Sequence, residues 1–152
     1  MDFSLDDDHV ALQDAVRRYC DREYPAHERG NAETRETAAR RWAGLAELGV
    51  LGLPFDPELG GSGQGAVELM LVAEELGRSL GGGAWLSSVV LAGQLLADAG
   101  TPAQCSQWLP GIASGERKLA LAFAEAGSRY VLSRVATREL YPSRAATART
   151  RP

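Results

Sequence analysis

Apolar residues recur three to four positions apart along most of the first 113 residues, and this spacing places them on one side of an α-helix. The first such stripe consists of Leu5, Leu12, Val16 and Tyr19. Ser4 and Asp7 predict where this helix begins, because the pair forms a variant of the capping box. Pro25 predicts where it ends. The pattern therefore predicts an amphipathic helix on the surface of a core.

The same period predicts further helices that pack as a bundle. One ends at Gly49, another spans residues 66–80, and the run 85–97 is apolar nearly all round, which is typical of a helix enclosed by neighbours. At 101–104 the sequence Thr-Pro-Ala-Gln supplies an N-cap, a proline in the first turn and a reciprocal capping partner. Residues 52–65 hold five glycines and two prolines and predict a loop.

The pattern changes beyond residue 117. Over 118–124, large apolar side chains at 119, 121 and 123 alternate with alanines, which predicts a β-strand that is covered on both faces. From Arg138 no apolar period remains, so residues 138–152 are expected to be poorly ordered. The predicted fold class is mainly α, a helical bundle that leads into one strand.

Length and charge narrow the functional classes. The 152 residues are 45% hydrophobic and 24% charged, as expected of one globular domain. The formal net charge of -4 combines -9 over residues 1–125 with +5 over residues 126–152, and an acidic body argues against nucleic acid. A small regulator that binds DNA through the basic end is the weakest alternative, because that end has no helical period. No run reaches the ~18 apolar residues of a membrane span, so a cytoplasmic location is expected.

Residues with reactive side chains are few and scattered. Cys20, Cys105, His9 and His27 match no metal-ligand spacing, and two reduced, partly buried thiols are expected. His9 is expected at the surface. Glu74 and Glu75 are adjacent on a helix, point about 100° apart and are interpreted as solvated charges rather than an acid–base pair.

Three stretches in fixed order resemble one family. These are LGVLGLP at 48–54 with GGSG at 60–63, EELGR at 74–78, and the segment 99–116, which includes Trp-Leu-Pro and Gly-Glu. Together they resemble the FAD-dependent acyl-CoA dehydrogenases over about residues 3–137, and most closely the small-subunit type, similar to pimeloyl-CoA dehydrogenase, that acts on dicarboxylyl or bulky acyl-CoA.

The resemblance implies a domain organisation and a reaction. Residues 1–117 would form the N-terminal helical domain, residues 118–137 would begin the middle β-domain, and residues 138–152 would be a divergent tail. The family oxidises acyl-CoA to trans-2-enoyl-CoA on FAD and passes the electrons to an electron-transfer flavoprotein.

The resemblance also implies site residues. The residues expected to line the pocket for the acyl tail are Ala84, Trp85, Ser88 and Val89. Those expected against the flavin edge are Leu121, Phe123 and Ala124. The family has Thr-Glu-Pro where this chain has Ala124-Glu125-Ala126, so a hydroxyl that would bond the isoalloxazine is missing, a loss of about 0.5–1.5 kcal/mol.

The catalytic base is expected in a C-terminal domain outside this sequence. We therefore expect a truncated dehydrogenase that is inactive alone and forms homo- or hetero-oligomers with dehydrogenase subunits. The alternative is a non-catalytic helical subunit that docks on a complete dehydrogenase. Fifteen arginines against the single Lys118 suggest a GC-rich gene, in which a truncated or out-of-frame C-terminus would explain the change of pattern.

Overall fold

The computed structural model describes residues 4–28, 33–124 and 131, and its regular structure is helical. Its α-helices are α1 (Asp7–Glu23), α2 (Arg35–Glu47), α3 (Ala66–Arg78), α4 (Gln94–Ala99) and α5 (Pro102–Ala113). A π-helix (Leu86–Gly93) precedes α4, and short 3-10 turns occupy Ala26–Glu28 and Pro57–Leu59. The chain divides into two compact units, Met1–Leu121 and Ala122–Pro152. The prediction of a mainly α fold is confirmed, and the predicted domain boundaries stay predictions.

Side-chain caps fix where the helices begin. Thr101 accepts the backbone N–H of Gln104 at 3.3 Å, and the Gln104 side chain accepts the N–H of Thr101 at 2.8 Å, so the predicted capping box is confirmed. At α1 the N-cap is Asp6, which accepts the backbone N–H of His9 at 2.8 Å, rather than the predicted Ser4. A carboxylate at that position both bonds the free N–H and meets the positive end of the helix dipole.

The loop between α2 and α3 is part of the core. Val50, Leu51 and Phe55 are buried, and the indole N–H of Trp85 donates to the Val50 carbonyl at 3.1 Å. At Gly61 an added Cβ would lie only 2.0 Å from the Phe55 carbonyl oxygen, so the two backbone stretches touch. The glycine-rich loop is therefore a packed element of the bundle.

The run predicted as one enclosed helix over 85–97 is two helical segments of different pitch. Residues 86–93 are π-helical, and the chain returns to α-helix at Gln94. Gly93 lies at the change of pitch, and an added Cβ there would be 2.7 Å from Phe55 Cζ and 2.9 Å from the Ser88 carbonyl oxygen. The absence of a side chain lets the core pack against this turn. A π-helical turn within a helix is frequently found at functional sites.

The predicted strand near residues 118–124 is wrong for this chain. Residues 117–124 belong to neither a helix nor a strand, and the part of the chain that the structure describes contains no strand. The alternating pattern is present, but a strand also requires a neighbouring strand to pair its backbone groups. The backbone N–H of Leu119 instead donates to a side chain, the hydroxyl of Ser88, at 2.8 Å.

Across residues 4–28 and 33–124, no helix is both long and apolar enough to span a membrane.

Candidate functional site

Of the four residues expected to line an acyl pocket, Ala84 and Trp85 directly precede the π-helix, and Ser88 and Val89 belong to it. Ala84 is half-buried, whereas Trp85, Ser88 and Val89 belong to the buried interior of this chain. Trp85 is fixed there by its bond to the carbonyl of Val50. Ala84 and Trp85 border different cavities, and Ser88 and Val89 are fully covered by the rest of the chain.

Residues 115–121 cross the bundle and are held at several points; we call them the anchored segment. The Trp42 indole donates to the Gly115 carbonyl at 2.8 Å, the Arg117 backbone N–H donates to the Gly111 carbonyl at 2.8 Å, and Ser88 holds Leu119. Two successive cations cover indole rings: Arg117 lies 4.9 Å from the ring centre of Trp108 and Lys118 lies 4.6 Å from that of Trp42. Cation–π contacts of this length are attractive. The path of the chain towards Leu121 is therefore fixed by the helices.

An apolar groove lies beside the anchored segment. It has a volume of about 370 Å³. Its lining residues come from the π-helix, α4, α5 and the anchored segment: Ala92, Leu95, Leu96, Ala99, Gly100, Gln104, Trp108, Leu119, Ala120 and Leu121. Leu121, one of the three residues expected at the flavin, forms one end of this lining. Apolar grooves of this size are typical of small-molecule sites or of surfaces that pack against another domain.

The residues expected at the flavin do not by themselves fit a complete FAD site. Leu121 is half-buried, while Phe123, 56% exposed, and Ala124 belong to the second unit. All three offer only apolar contacts to a ring. FAD also carries a pyrophosphate, which proteins hold with backbone N–H groups and cations, and these three side chains supply neither.

A second, smaller cavity of about 100 Å³ adjoins Ala84 and contains a buried arginine. Arg41 donates to Glu33 and to Glu28 at 2.9 Å each, and its guanidinium lies 4.4 Å from the centre of the Tyr24 ring. Its Nε is buried and has no hydrogen-bond partner among the described residues. Two carboxylates balance the charge of Arg41, so the cavity carries no free cation from this side chain.

Glu75 is fully buried between α1 and α3, which corrects its interpretation as a solvated charge. Arg17 donates to its carboxylate at 2.6 Å and Arg78 at 2.8 Å, and Arg78 also bonds Asp21 at 2.8 Å. The hydrogen bond from Arg17 holds the pKa of Glu75 below its usual value. Position 75 lies three residues after the buried Val72, on the same side of α3, and this helical spacing could have identified it. Glu74, on the other side, is exposed as expected.

His9 links the beginnings of α1 and α3. Its Nε2 lies 2.9 Å from a Glu68 oxygen and its Nδ1 lies 2.8 Å from an Asp6 oxygen. The side chain is largely covered, so the expected surface position is only partly correct. The pKa of Glu68 is lowered by hydrogen bonds from its own backbone N–H and from His9.

The two cysteines were expected to be reduced thiols that belong to no metal site. Cys20 is buried and Cys105 partly buried, and both are free thiols, as predicted. Burial raises the pKa of the Cys20 thiol. Among the residues that the structure describes, no three His, Cys, Asp or Glu side chains are grouped to hold a metal ion.

Comparison with known proteins gives a consistent picture. A family model described as the N-terminal domain of acyl-CoA dehydrogenases matches residues 6–116. The chain is 33% identical over 136 residues to (2S)-methylsuccinyl-CoA dehydrogenase of Cereibacter sphaeroides, covering 88% of this chain and 25% of that protein. It is 40% identical over 97 residues to acyl-CoA dehydrogenase fadE12 of Mycobacterium tuberculosis, covering 62% of this chain and 24% of that protein. It therefore spans about a quarter of the length of these relatives.

A solved structure has the same fold. The ChsE4-ChsE5 complex from Mycobacterium tuberculosis contains a chain that superposes with a TM-score of 0.67 at 22% identity, covering 84% of this chain and 33% of that one.

Proposed function

Because this chain belongs to the acyl-CoA dehydrogenase family, we propose that it forms the N-terminal helical part of an FAD-dependent enzyme that oxidises acyl-CoA to trans-2-enoyl-CoA. The family match over residues 6–116 carries the proposal, since it includes all five α-helices and the π-helix. In this proposal the chain contributes walls and positioning, while the catalytic base and most of the flavin site come from segments outside it.

The π-helix is proposed to form the wall of the acyl-tail pocket. Trp85 and Val89 are buried, and Ala84 is the small, half-buried member of the four. An apolar wall favours a hydrocarbon tail and excludes water from the reacting carbons. Ser88 belongs to the same wall, with its hydroxyl engaged by the backbone.

The flavin contact is proposed to be apolar and partial. Leu121, Phe123 and Ala124 would touch one edge of the ring, and Ala124 offers no hydroxyl to it. FAD would supply the oxidation chemistry when bound in a complete assembly. We propose that the isolated chain is inactive and that its partners are other dehydrogenase subunits, with an electron-transfer flavoprotein as acceptor.

The test is purification of the tagged chain from its native source. We expect a flavin-containing partner in the eluate, detected by the visible absorbance of the flavin, together with reduction of an artificial dye that depends on acyl-CoA. The chain purified alone from a heterologous host should show neither. A flavin-containing, dye-reducing chain in that second sample would overturn the proposed inactivity, and a native eluate without flavin would overturn the proposed function.

A second candidate is a docking subunit without a catalytic role. Exposed leucines favour it: Leu80 is 78% exposed, Leu86 56% and Leu95 48%. Ala84→Phe separates the two candidates in the native complex. A subunit that lines the acyl pocket should raise KM for acyl-CoA several-fold when the pocket is filled, whereas a purely docking subunit should leave KM unchanged. Glu74→Gln, on the exposed face of α3, is the control.

A further inference from the structure

We propose that Ser88 is a positioning residue: its hydroxyl ties the helix that lines the acyl tail to the segment that carries Leu121 towards the flavin. This inference rests on the proposed function for its catalytic meaning. Its structural part concerns only the helical unit Met1–Leu121 and stands on contacts within it.

The hydroxyl of Ser88 has a defined partner far along the chain. Ser88 is 0% exposed, and its Oγ accepts the backbone N–H of Leu119 at 2.8 Å across 31 residues. A partly buried backbone N–H that lacks a strand partner is costly to leave unbonded. The Ser88 hydroxyl therefore accepts the hydrogen bond that a carbonyl of a neighbouring strand would accept, and it does so at Leu119.

The adjacent serine serves as an internal contrast. Ser87 belongs to the same π-helix, but its hydroxyl donates to the carbonyl of Ala84, three residues earlier, at 3.1 Å. Such a local bond leaves the rest of the chain unaffected. Ser88 is thus distinguished from its neighbour by burial and by the long-range bond, and both residues can be replaced by alanine in parallel.

Ser88 is the hydrogen-bonding anchor nearest to Leu121. The other anchors act earlier, at Gly115, Arg117 and Lys118. Leu121 lies two residues beyond Leu119, at most about 7 Å along the backbone. Leu119, Ala120 and Leu121 also form one wall of the apolar groove. Loss of the Ser88 bond should consequently increase the mobility of residues 119–121, while the contacts at Gly115, Arg117 and Lys118 remain.

This role differs from direct contact with an acyl tail. A hydroxyl that is fully covered and bonded to the backbone offers no group to a substrate, so its effect passes through Leu119. A shift of the π-helix would move the anchored segment with it. Changes at the acyl wall would therefore be coupled to the flavin-facing end of the chain.

The test is amide hydrogen exchange of Leu119 in the purified chain, followed by NMR without flavin or acyl-CoA. We expect Leu119 to be protected relative to Ala120 in the wild type. Ser88→Ala should accelerate its exchange by about tenfold, the size expected for one lost hydrogen bond. Ser87→Ala should leave it unchanged, and Ser88→Thr, which restores a hydroxyl, should recover part of the protection.

Hydrogen exchange in the purified chain tests the structural part of the inference without the enzyme complex. Unprotected Leu119 in the wild type would overturn the inference, and so would a Ser88→Ala effect that accelerates buried amides such as Leu109 and Ile112 equally, since that would report general destabilisation. In the flavin-containing native complex, Ser88→Ala should shift the flavin absorbance spectrum and Ser87→Ala should not. A spectrum unaffected by Ser88→Ala would overturn the catalytic part, whereas failure to obtain the complex would count against the proposed function alone.

Discussion

Glu75 brings a negative charge into the interface between α1 and α3, where its neighbours occupy both carboxylate oxygens. Arg17 comes from α1 and Arg78 from the same helix as Glu75, and both arginines keep part of their side chains in water. A buried carboxylate is tolerated only when it is paired in this way. The cluster therefore fixes the register of the two helices more than it adds net stability.

Replacing this carboxylate should be costly. Glu75→Gln removes the charge that both arginines share, and we expect the free energy of unfolding to fall by about 1–3 kcal/mol, reduced from the fully buried case because the arginines reach solvent. Glu74→Gln, one residue away but exposed, should change it by less than about 0.5 kcal/mol. Urea denaturation of both variants measures the difference, and equal effects would contradict the structural role of Glu75.

The same residue predicts a pH dependence. The pKa of Glu75 is lowered in the folded state, so its contribution is fully present above the unfolded carboxyl value of about 4.3 and is lost as pH falls through the folded value. The difference in stability between wild type and Glu75→Gln should be constant from about pH 7 to 5 and shrink below about pH 4. Denaturation midpoints at each pH check this. A difference that grows on acidification would contradict the assignment.

Local features were easier to predict from the sequence than the environment of a single side chain. The two free thiols and the Thr101 cap were predicted correctly, although Cys20 is completely rather than partly buried. Glu75 was missed because its type suggested solvent, while its position on the stripe of Val72 indicated the interior. The environment was decided by arginines on two helices, one of them 58 residues away, which no local pattern contains.

At the scale of elements, the π-helix and the loop before α3 depend on each other through Gly93 and Phe55. The wider turn brings the backbone at Gly93 against the buried Phe55 ring, where an added Cβ would be 2.7 Å from the ring. By contrast, an added Cβ at Gly77 in α3 meets nothing within 4 Å. Packing therefore requires glycine at position 93, whereas position 77 has room for a side chain.

This contrast gives a matched pair of variants. Gly77→Ala should stabilise the chain by about 0.5–1 kcal/mol through helix propensity. Gly93→Ala has a similar propensity gain but should destabilise by about 1–3 kcal/mol, because the added methyl group would overlap the Phe55 ring and the Ser88 carbonyl oxygen. Thermal unfolding followed by circular dichroism gives both values. A stabilising Gly93→Ala would show that the π-helix can convert to a regular α-helix.

The order of the helices and the Thr101 cap were predictable from the sequence. The Asp6 cap, the change of pitch over 86–93 and the lack of a strand over 118–124 were not. Caps depend on residues within one turn, which a sequence displays directly. The pitch at 86–93 depends on packing against Phe55, and strand formation at 118–124 depends on a pairing partner. Both are tertiary conditions. At the candidate site, the bond between Ser88 and Leu119 was not predictable, because it joins residues that are 31 positions apart.

At the scale of the whole molecule, the two thiols differ in how far the fold must open before a reagent can reach them. Cys20 is completely buried in the core and Cys105 is partly exposed near α4, where its thiol donates to the Leu96 carbonyl at 3.2 Å. Labelling with a thiol reagent under native conditions should proceed in two phases, a fast one for Cys105 and a slow one limited by opening of the core at Cys20.

Single replacements assign these phases. Cys105→Ser should abolish the fast phase and Cys20→Ser the slow one, and the slow rate should rise with added urea as the fold loses stability. Equally fast labelling of both thiols would contradict the compact core described around α1.

The cations of the anchored segment cover two indole rings of the helices, and this makes release of the segment visible by fluorescence. Trp42 and Trp108 lie under Lys118 and Arg117, whereas Trp85 is enclosed by the core. Release of the segment would expose the first two rings to solvent and leave Trp85 buried. The emission of single-tryptophan variants would therefore distinguish local release of residues 115–121 from unfolding of the whole bundle. Tryptophan fluorescence thus reports whether the anchored segment is bound to the helices.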